Sequence, residues 1–194
     1  MMIRVMSKAV LRPGQTYKKV TLKDGRMAVL RAPDFHDLDA LLAFISELVD
    51  ERVEIIRTTK PSRDEEAEWL GRRLAAIEKG NSVALAAEIN GRLVANCEVE
   101  RRTPQFPEMR HVGVLGIAIL KNARGVGLGT ALMESLFELA RQLQLRVVIL
   151  DTFATNKIAH GLYRKVGFVE VGKIPKAIHR DGSYIDMLRF AIET

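Results

Sequence analysis

The chain has 194 residues, 47% of them hydrophobic and 28% charged, which is enough to bury a core and too apolar for a disordered segment. A single cysteine, Cys97, excludes a disulfide framework and a cysteine-built metal site, and no apolar run reaches membrane-span length. The formal charge of +6 is uneven: residues 1–31 hold eight Lys/Arg against one acid, Asp24, a local +7, and the remainder balances at −1.

Residues 1–15 read as a flexible basic arm closed by Pro13-Gly14, ahead of one domain over 16–194. Nucleic-acid binding by the arm is disfavoured, because Tyr17 is the one aromatic among its cations. Tyr17–Leu22 and Arg26–Arg31 flank Lys23-Asp24-Gly25 as a hairpin. Leu38, Leu41, Leu42, Ile45, Leu48 and Val49 recur at helical spacing after Asp34. Ser62 with Glu65 is a capping box that opens a second helix, ended by Gly80-Asn81, with Trp69 on its apolar face as an expected core residue. The period then drops to two. Val83–Ile89 and Leu93–Glu100 form a hairpin around Asn90-Gly91, with Leu93, Ala95, Cys97 and Val99 expected on one face and Val94, Asn96, Glu98 and Glu100 on the other. His111–Leu120 reads as a central strand, Gly127–Gln144 as an amphipathic helix and Arg146–Phe153 as a buried strand. Asn156–Lys165 is a short helix, and strands near Phe168–Ile178 and Tyr184–Ile192 close the chain through Arg180-Asp181-Gly182. The fold class is α/β with a mixed sheet.

The chemistry concentrates where the strand ending at Leu120 runs through Arg124-Gly125-Val126-Gly127-Leu128-Gly129-Thr130 into a helix. Alternate glycines let backbone N–H groups converge at the helix N-terminus, where free donors and the helix dipole hold an anion. Arg124 adds a positive charge at the mouth, so the expected ligand is a phosphate or diphosphate. A Walker loop would need a lysine after its last glycine, and Thr130 stands there instead. A dinucleotide fold would find its acid in Asp151, but the hairpins that precede the loop fit it poorly.

Arg-x-x-Gly-x-Gly after a strand resembles the pyrophosphate-binding loop of the GNAT (GCN5-related) N-acetyltransferase family, matched here by Arg124, Gly127 and Gly129. A second match is the helix that begins at Asn156, carries Tyr163 two turns later and ends before Gly167-Phe168, with small Ala159 between them. The specific resemblance covers about residues 111–170. It implies the GNAT acyl-CoA N-acyltransferase fold, a mostly antiparallel central sheet flanked by helices, in which His111–Leu120 and Arg146–Phe153 splay apart. It implies acetyl-CoA as cosubstrate, bound by Ile117, Ala118, Ile119, Arg124, Gly125, Val126, Gly127, Leu128, Gly129, Thr130, Asn156 and Tyr163. It also implies that Tyr163 protonates the departing thiolate, while backbone groups at Ile117–Ile119 serve the thioester and pantetheine arm.

The acceptor is then a primary amine, on a protein or a small molecule, that attacks directly. At pH 7 a lysine of pKa near 10.4 needs about 4.6 kcal/mol to become neutral, and an α-amine near 8 about 1.4 kcal/mol. Family members often place a glutamate on the central strand to take that proton, and here Val114 or a neighbour stands in its place. The candidate bases are therefore His111, Glu100 and Glu98. His36, His160 and His179 lack metal-ligand spacing, and no metal is expected. The alternative is a non-catalytic CoA-binding sensor or scaffold. A homodimer is compatible with this architecture, and the N-terminus lacks a signal-peptide core, so the expected location is the cytoplasm.

Overall fold

The computed structural model describes residues 10–194. Positions 1–9 of the expected basic arm lie outside the described residues. Leu11 is buried in the core, so the folded unit reaches back past the boundary expected at residue 16.

The elements are β1 (Thr16–Thr21), β2 (Met27–Arg31), α1 (Leu38–Asp50), α2 (Arg63–Glu78), β3 (Ser82–Ile89), β4 (Arg92–Arg101), β5 (Val112–Ile119), α3 (Leu128–Gln142), β6 (Val147–Phe153), α4 (Lys157–Lys165), β7 (Val169–Arg180) and β8 (Ser183–Glu193). The eight strands make one sheet in the order β1-β2-β3-β4-β5-β6-β8-β7. All neighbours are antiparallel except β5 and β6. Helices cover both faces, which explains why β3 is buried almost throughout. Leu41, Phe44 and Leu48 of α1 and Leu70, Leu74 and Ile77 of α2 pack on Ala84 and Ala86 on one side. Leu132, Met133, Leu136 and Leu139 of α3 pack with Leu85, Cys97 and Val148 on the other. Each such leucine contributes about 1.5–3 kcal/mol by leaving water. The start of α2 is fixed by the capping box, with Ser62 N–H donating to Glu65 Oε2 at 2.7 Å and Glu65 N–H to Ser62 Oγ at 3.2 Å.

Within the β3–β4 hairpin strict alternation fails once. Ala87 pairs with Ala95 and Glu88 with Leu93, so Val94 is an extra residue without an opposite number. This bulge turns Leu93 toward α1 and α2 and Val94 toward α3, correcting the expectation that Leu93 shares a face with Ala95 and Cys97. Downstream of it Asn96 and Glu98 do face α2, where Arg73 meets both.

The feature that makes a site is the junction of β5 with β6. Three pairs join them: Val112 with Val147, Gly113 with Val148 and Val114 with Ile149. Beyond Val114 the strands part. Among the described residues no helix is long and apolar enough to cross a membrane.

Candidate active site

A cavity of about 970 Å³ fills the gap where β5 and β6 separate. One end is the glycine loop. Gly127 caps α3 with φ 92°, a left-handed value that side chains other than glycine adopt at a cost, and Gly125 has φ 77°. The loop is pinned from outside by the β1–β2 turn, where Lys23 N–H donates to the Val126 carbonyl at 3.0 Å. Gly129 matters for packing instead. A Cβ there would lie 2.9 Å from Leu162 and 3.2 Å from Ile119, so its absence lets α3 approach α4 and β5. Gly125, Gly127, Gly129 and Thr130 line the cavity at the first turn of α3, where free amides and the helix dipole make a candidate anion site.

Of the residues implied as coenzyme ligands, Ile117, Ala118, Ile119, Arg124, Gly125, Gly127, Gly129, Thr130, Asn156 and Tyr163 line the cavity. Val126 and Leu128 do not: Leu128 is 1% exposed and both side chains pack into the α3 core, leaving only backbone to offer. Arg124 is less free than its sequence position suggests. Its Nε donates to the Ile119 carbonyl at 2.7 Å and its Nη2 pairs with Glu51 at 2.6 Å, while Glu51 also accepts the Lys121 N–H at 3.0 Å. Arg124 thus ties the loop to the end of α1, with its charge compensated.

At the other wall, Asn156 caps α4, accepting the Ala159 N–H on Oδ1 at 3.1 Å, which leaves its amide NH₂ available. Tyr163 is 7% exposed, held by Phe168 and Phe190, yet it lines the cavity. Burial pushes its phenol up to about 12, against the opposing pull of a hydrogen bond with Thr152. The group is therefore protonated at neutral pH.

The three candidate bases separate clearly. His111 is exposed at the opposite end of β5 and borders neither the large cavity nor the smaller cleft between α2 and β4. Glu100 lines that smaller cleft, of about 220 Å³; burial and the neighbouring Glu98 push its carboxyl up, against the pull of Arg73. Glu98 alone of the three borders both spaces. It lies opposite Gly116 of β5, where an added Cβ would meet nothing within 4 Å, so open space adjoins its carboxylate.

Other residues of the site carried no sequence signal. Lys23 lies beside Gly127, with Cγ 3.7 Å and Cε 3.8 Å from the Cβ that glycine lacks, and Lys165 Nζ donates to Thr130 Oγ1 at 3.2 Å. Both lysines line the cavity at its anion end. Trp69, expected in the core, borders both cavities. Arg180 of β7 donates to the carbonyls of Val53, at 3.0 Å, and Ile55, holding the loop after α1, which lines the large cavity. Among the described residues no three His, Cys, Asp or Glu side chains converge as metal ligands.

The family model described as Acetyltransferase (GNAT) family matches residues 43–168. An L-methionine sulfoximine/L-methionine sulfone acetyltransferase of Pseudomonas aeruginosa is 24% identical over 160 residues, 82% of this chain and 91% of that protein. The crystal structure of a ribosomal-protein-alanine N-acetyltransferase from Brucella melitensis superposes with TM-score 0.75 at 28% identity, covering 85% of this chain and 99% of that one. A Sinorhizobium meliloti phosphinothricin acetyltransferase, crystallised with acetyl-CoA, shares the fold with TM-score 0.73 at 22% identity, covering 86% and 88%. A match over well more than half its length, on a sheet that opens between β5 and β6, places the chain in the GNAT acetyltransferase family.

Proposed function

We propose that this acetyltransferase moves an acetyl group from acetyl-CoA to an α-amine by direct attack. The carrying observation is one cavity with an amide cradle at one wall and a buried, protonated phenol at the other. Acetyl-CoA supplies an acyl carbon bonded to a thiol leaving group. The cradle of Gly125–Thr130 holds the diphosphate, with Lys23 and Lys165 beside it. Glu98, on the open side of Gly116, accepts one proton of the incoming ammonium, so that the amine's lone pair can form the C–N bond as the C–S bond breaks; the second proton leaves the nitrogen as the amide forms and neutralises the released thiolate.

Tyr163 holds its proton to the departing sulfur as a hydrogen bond. Full transfer from a phenol near 12 to a thiolate of ordinary pKa near 8.5 would be uphill by about 5 kcal/mol, so its contribution is charge stabilisation. Two features favour an α-amine over a lysine. It is cheaper to neutralise by about 3 kcal/mol, and the Pseudomonas and Brucella relatives are named for L-methionine sulfoximine or sulfone and for a ribosomal-protein alanine.

The test is Tyr163→Phe, followed by release of free thiol with a panel of amines. We expect kcat to fall about 10²-fold with acetyl-CoA affinity within about twofold. The pH profile from 6 to 9 should keep its shape, because a phenol near 12 does not titrate there. Full turnover by this variant would remove Tyr163 from the reaction. A smaller effect is expected from Lys23→Ala. Loss of one solvent-accessible cation beside the diphosphate should raise the acetyl-CoA Kd about fivefold by calorimetry, and an unchanged Kd would place Lys23 outside the site.

A further inference from the structure

Beyond the rung of Val114 with Ile149, β5 and β6 run on separately to Ile119 and Phe153. The segment that follows α1 touches both strand ends. On the β5 side, Glu51 accepts the Lys121 N–H on Oε1 at 3.0 Å and pairs with Arg124 through Oε2 at 2.6 Å. On the β6 side, Glu54 accepts the hydroxyl of Thr155, which stands just past the end of β6. Residues 51–54 therefore form a strap from one strand end to the other. Arg180 holds the Val53 and Ile55 carbonyls from β7, and Arg52 pairs with Asp181 of the β7–β8 turn at 2.8 Å. Arg52 has φ 51°, a left-handed value more often given to glycine or asparagine just past a helix end, and it turns the chain out of α1. Every residue from Glu51 to Ile56 lines the large cavity.

These anchors are unequal. Both partners of the Arg52–Asp181 pair are largely exposed, so solvent weakens it. The Glu51 side chain is 15% exposed and that of Arg124 35%, and the shelter preserves more of their attraction. The same pairing acts at the anion end of the cavity. Arg124 is the cation that the glycine loop offers to a diphosphate, but its Nε is engaged by the Ile119 carbonyl at 2.7 Å and its charge is matched by Glu51. A neutral pair attracts a diphosphate less than a bare guanidinium does.

We propose that Glu51 is a positioning residue that takes Arg124 as a neutral post, so that the strap holds the cavity wall between the ends of β5 and β6 while coenzyme affinity is lowered. This rests on the coenzyme reading above and goes past it: Arg124 belongs to the strap, and the diphosphate is left to the loop amides, Lys23 and Lys165. Glu51→Gln separates the two effects. Glutamine has one acceptor oxygen where glutamate has two, so it cannot serve the Lys121 N–H and Arg124 through separate oxygens. Whichever it serves, the strap loses an anchor and the Arg124 charge is no longer compensated.

The experiment joins calorimetric titration by acetyl-CoA, at about 20 mM and about 500 mM salt, with amide hydrogen exchange of the ligand-free protein. Exchange is read at Val53 and Ile55, whose N–H groups donate to the Leu48 and Val53 carbonyls at 3.3 Å and 2.9 Å. In Glu51→Gln the Kd should fall about threefold at low salt, with the gain fading at high salt, and both amides should exchange about tenfold faster. A merely structural role would loosen the segment without tightening the coenzyme. Removing both charges, in Glu51→Gln with Arg124→Gln, should return the Kd to within about twofold of the wild type and leave exchange fast. Thr155→Ala, at an exposed side chain outside the cavity lining, should speed exchange at the same amides with the Kd within about twofold, and it tests the strap even if the Glu51 variants fail to fold. An unchanged or higher Kd in Glu51→Gln, or a double variant weakened beyond about twofold, would make Arg124 a coenzyme ligand and overturn the proposal. Unchanged exchange in Thr155→Ala would remove the strap. A wild type that does not bind acetyl-CoA defeats the coenzyme reading instead, and exchange without ligand still decides the strap.

Discussion

Gly127→Glu should raise the Kd for acetyl-CoA at least about 100-fold, a loss of about 2.8 kcal/mol. Three effects add. The left-handed φ of 92° is disfavoured for any residue with a Cβ by about 1–2 kcal/mol. The new carboxylate sits at the N-terminus of α3, where it takes the free amides and the favourable end of the dipole that would otherwise serve the diphosphate. It also arises next to the Lys23 stem and draws that cation away from the coenzyme. Gly127→Ala separates the backbone effect from the charge: it should weaken binding far less than the glutamate does. Calorimetry with acetyl-CoA checks both, alongside a melting curve to show that each variant is folded. If the glutamate variant bound the coenzyme normally, no diphosphate would rest on these amides.

Glu98→Gln should lower kcat/KM about 10²–10³-fold at pH 7. Glutamine keeps the volume and one acceptor oxygen but takes no proton. An acceptor α-amine of pKa near 8 must then lose its proton to solvent, so the variant's rate should climb with pH up to about 8 and level off above it. The deficit relative to the wild type should therefore be largest in acid and shrink in alkali. Because Arg73 loses its anionic neighbour while 3% exposed, some loss of thermal stability accompanies the change. Measuring the full pH profile rather than one rate separates that from the chemistry. A uniform loss at every pH would point to misfolding or positioning and would leave proton removal to another group.

The parts of this protein that could be read from sequence are those determined within a few residues. Ser62 and Glu65 cap each other across one turn, and the Arg124–Thr130 loop joins consecutive elements, so both were visible in the chain itself. What escaped depends on distant strands. The bulge at Val94 exists only in the pairing of β4 with β3, and a period-two pattern has no mark for it. Lys23 and Glu51 reach the loop from far upstream, through a hairpin turn and the end of a helix. The choice among His111, Glu98 and Glu100 turned on where β5 leaves β6. Glu100 and Glu98 are two residues, or about 7 Å, apart on one face, yet only Glu98 borders the large cavity. His111, chemically the most attractive base, precedes Gly116 by about 16 Å of strand. No local pattern states how many rungs hold two parallel strands together.

Those three rungs have a further consequence. A sheet that opens in its interior presents two short backbone edges, and an unpaired edge ordinarily invites another polypeptide to add a strand. Surface strands ward this off with charge or proline. Here the protection is architectural: α3, α4 and the segment clasped by Arg180 wall the gap. The walls that keep another strand from pairing with these edges are the same ones that bound the cavity, so shelter from aggregation and enclosure of the site are one property of the fold.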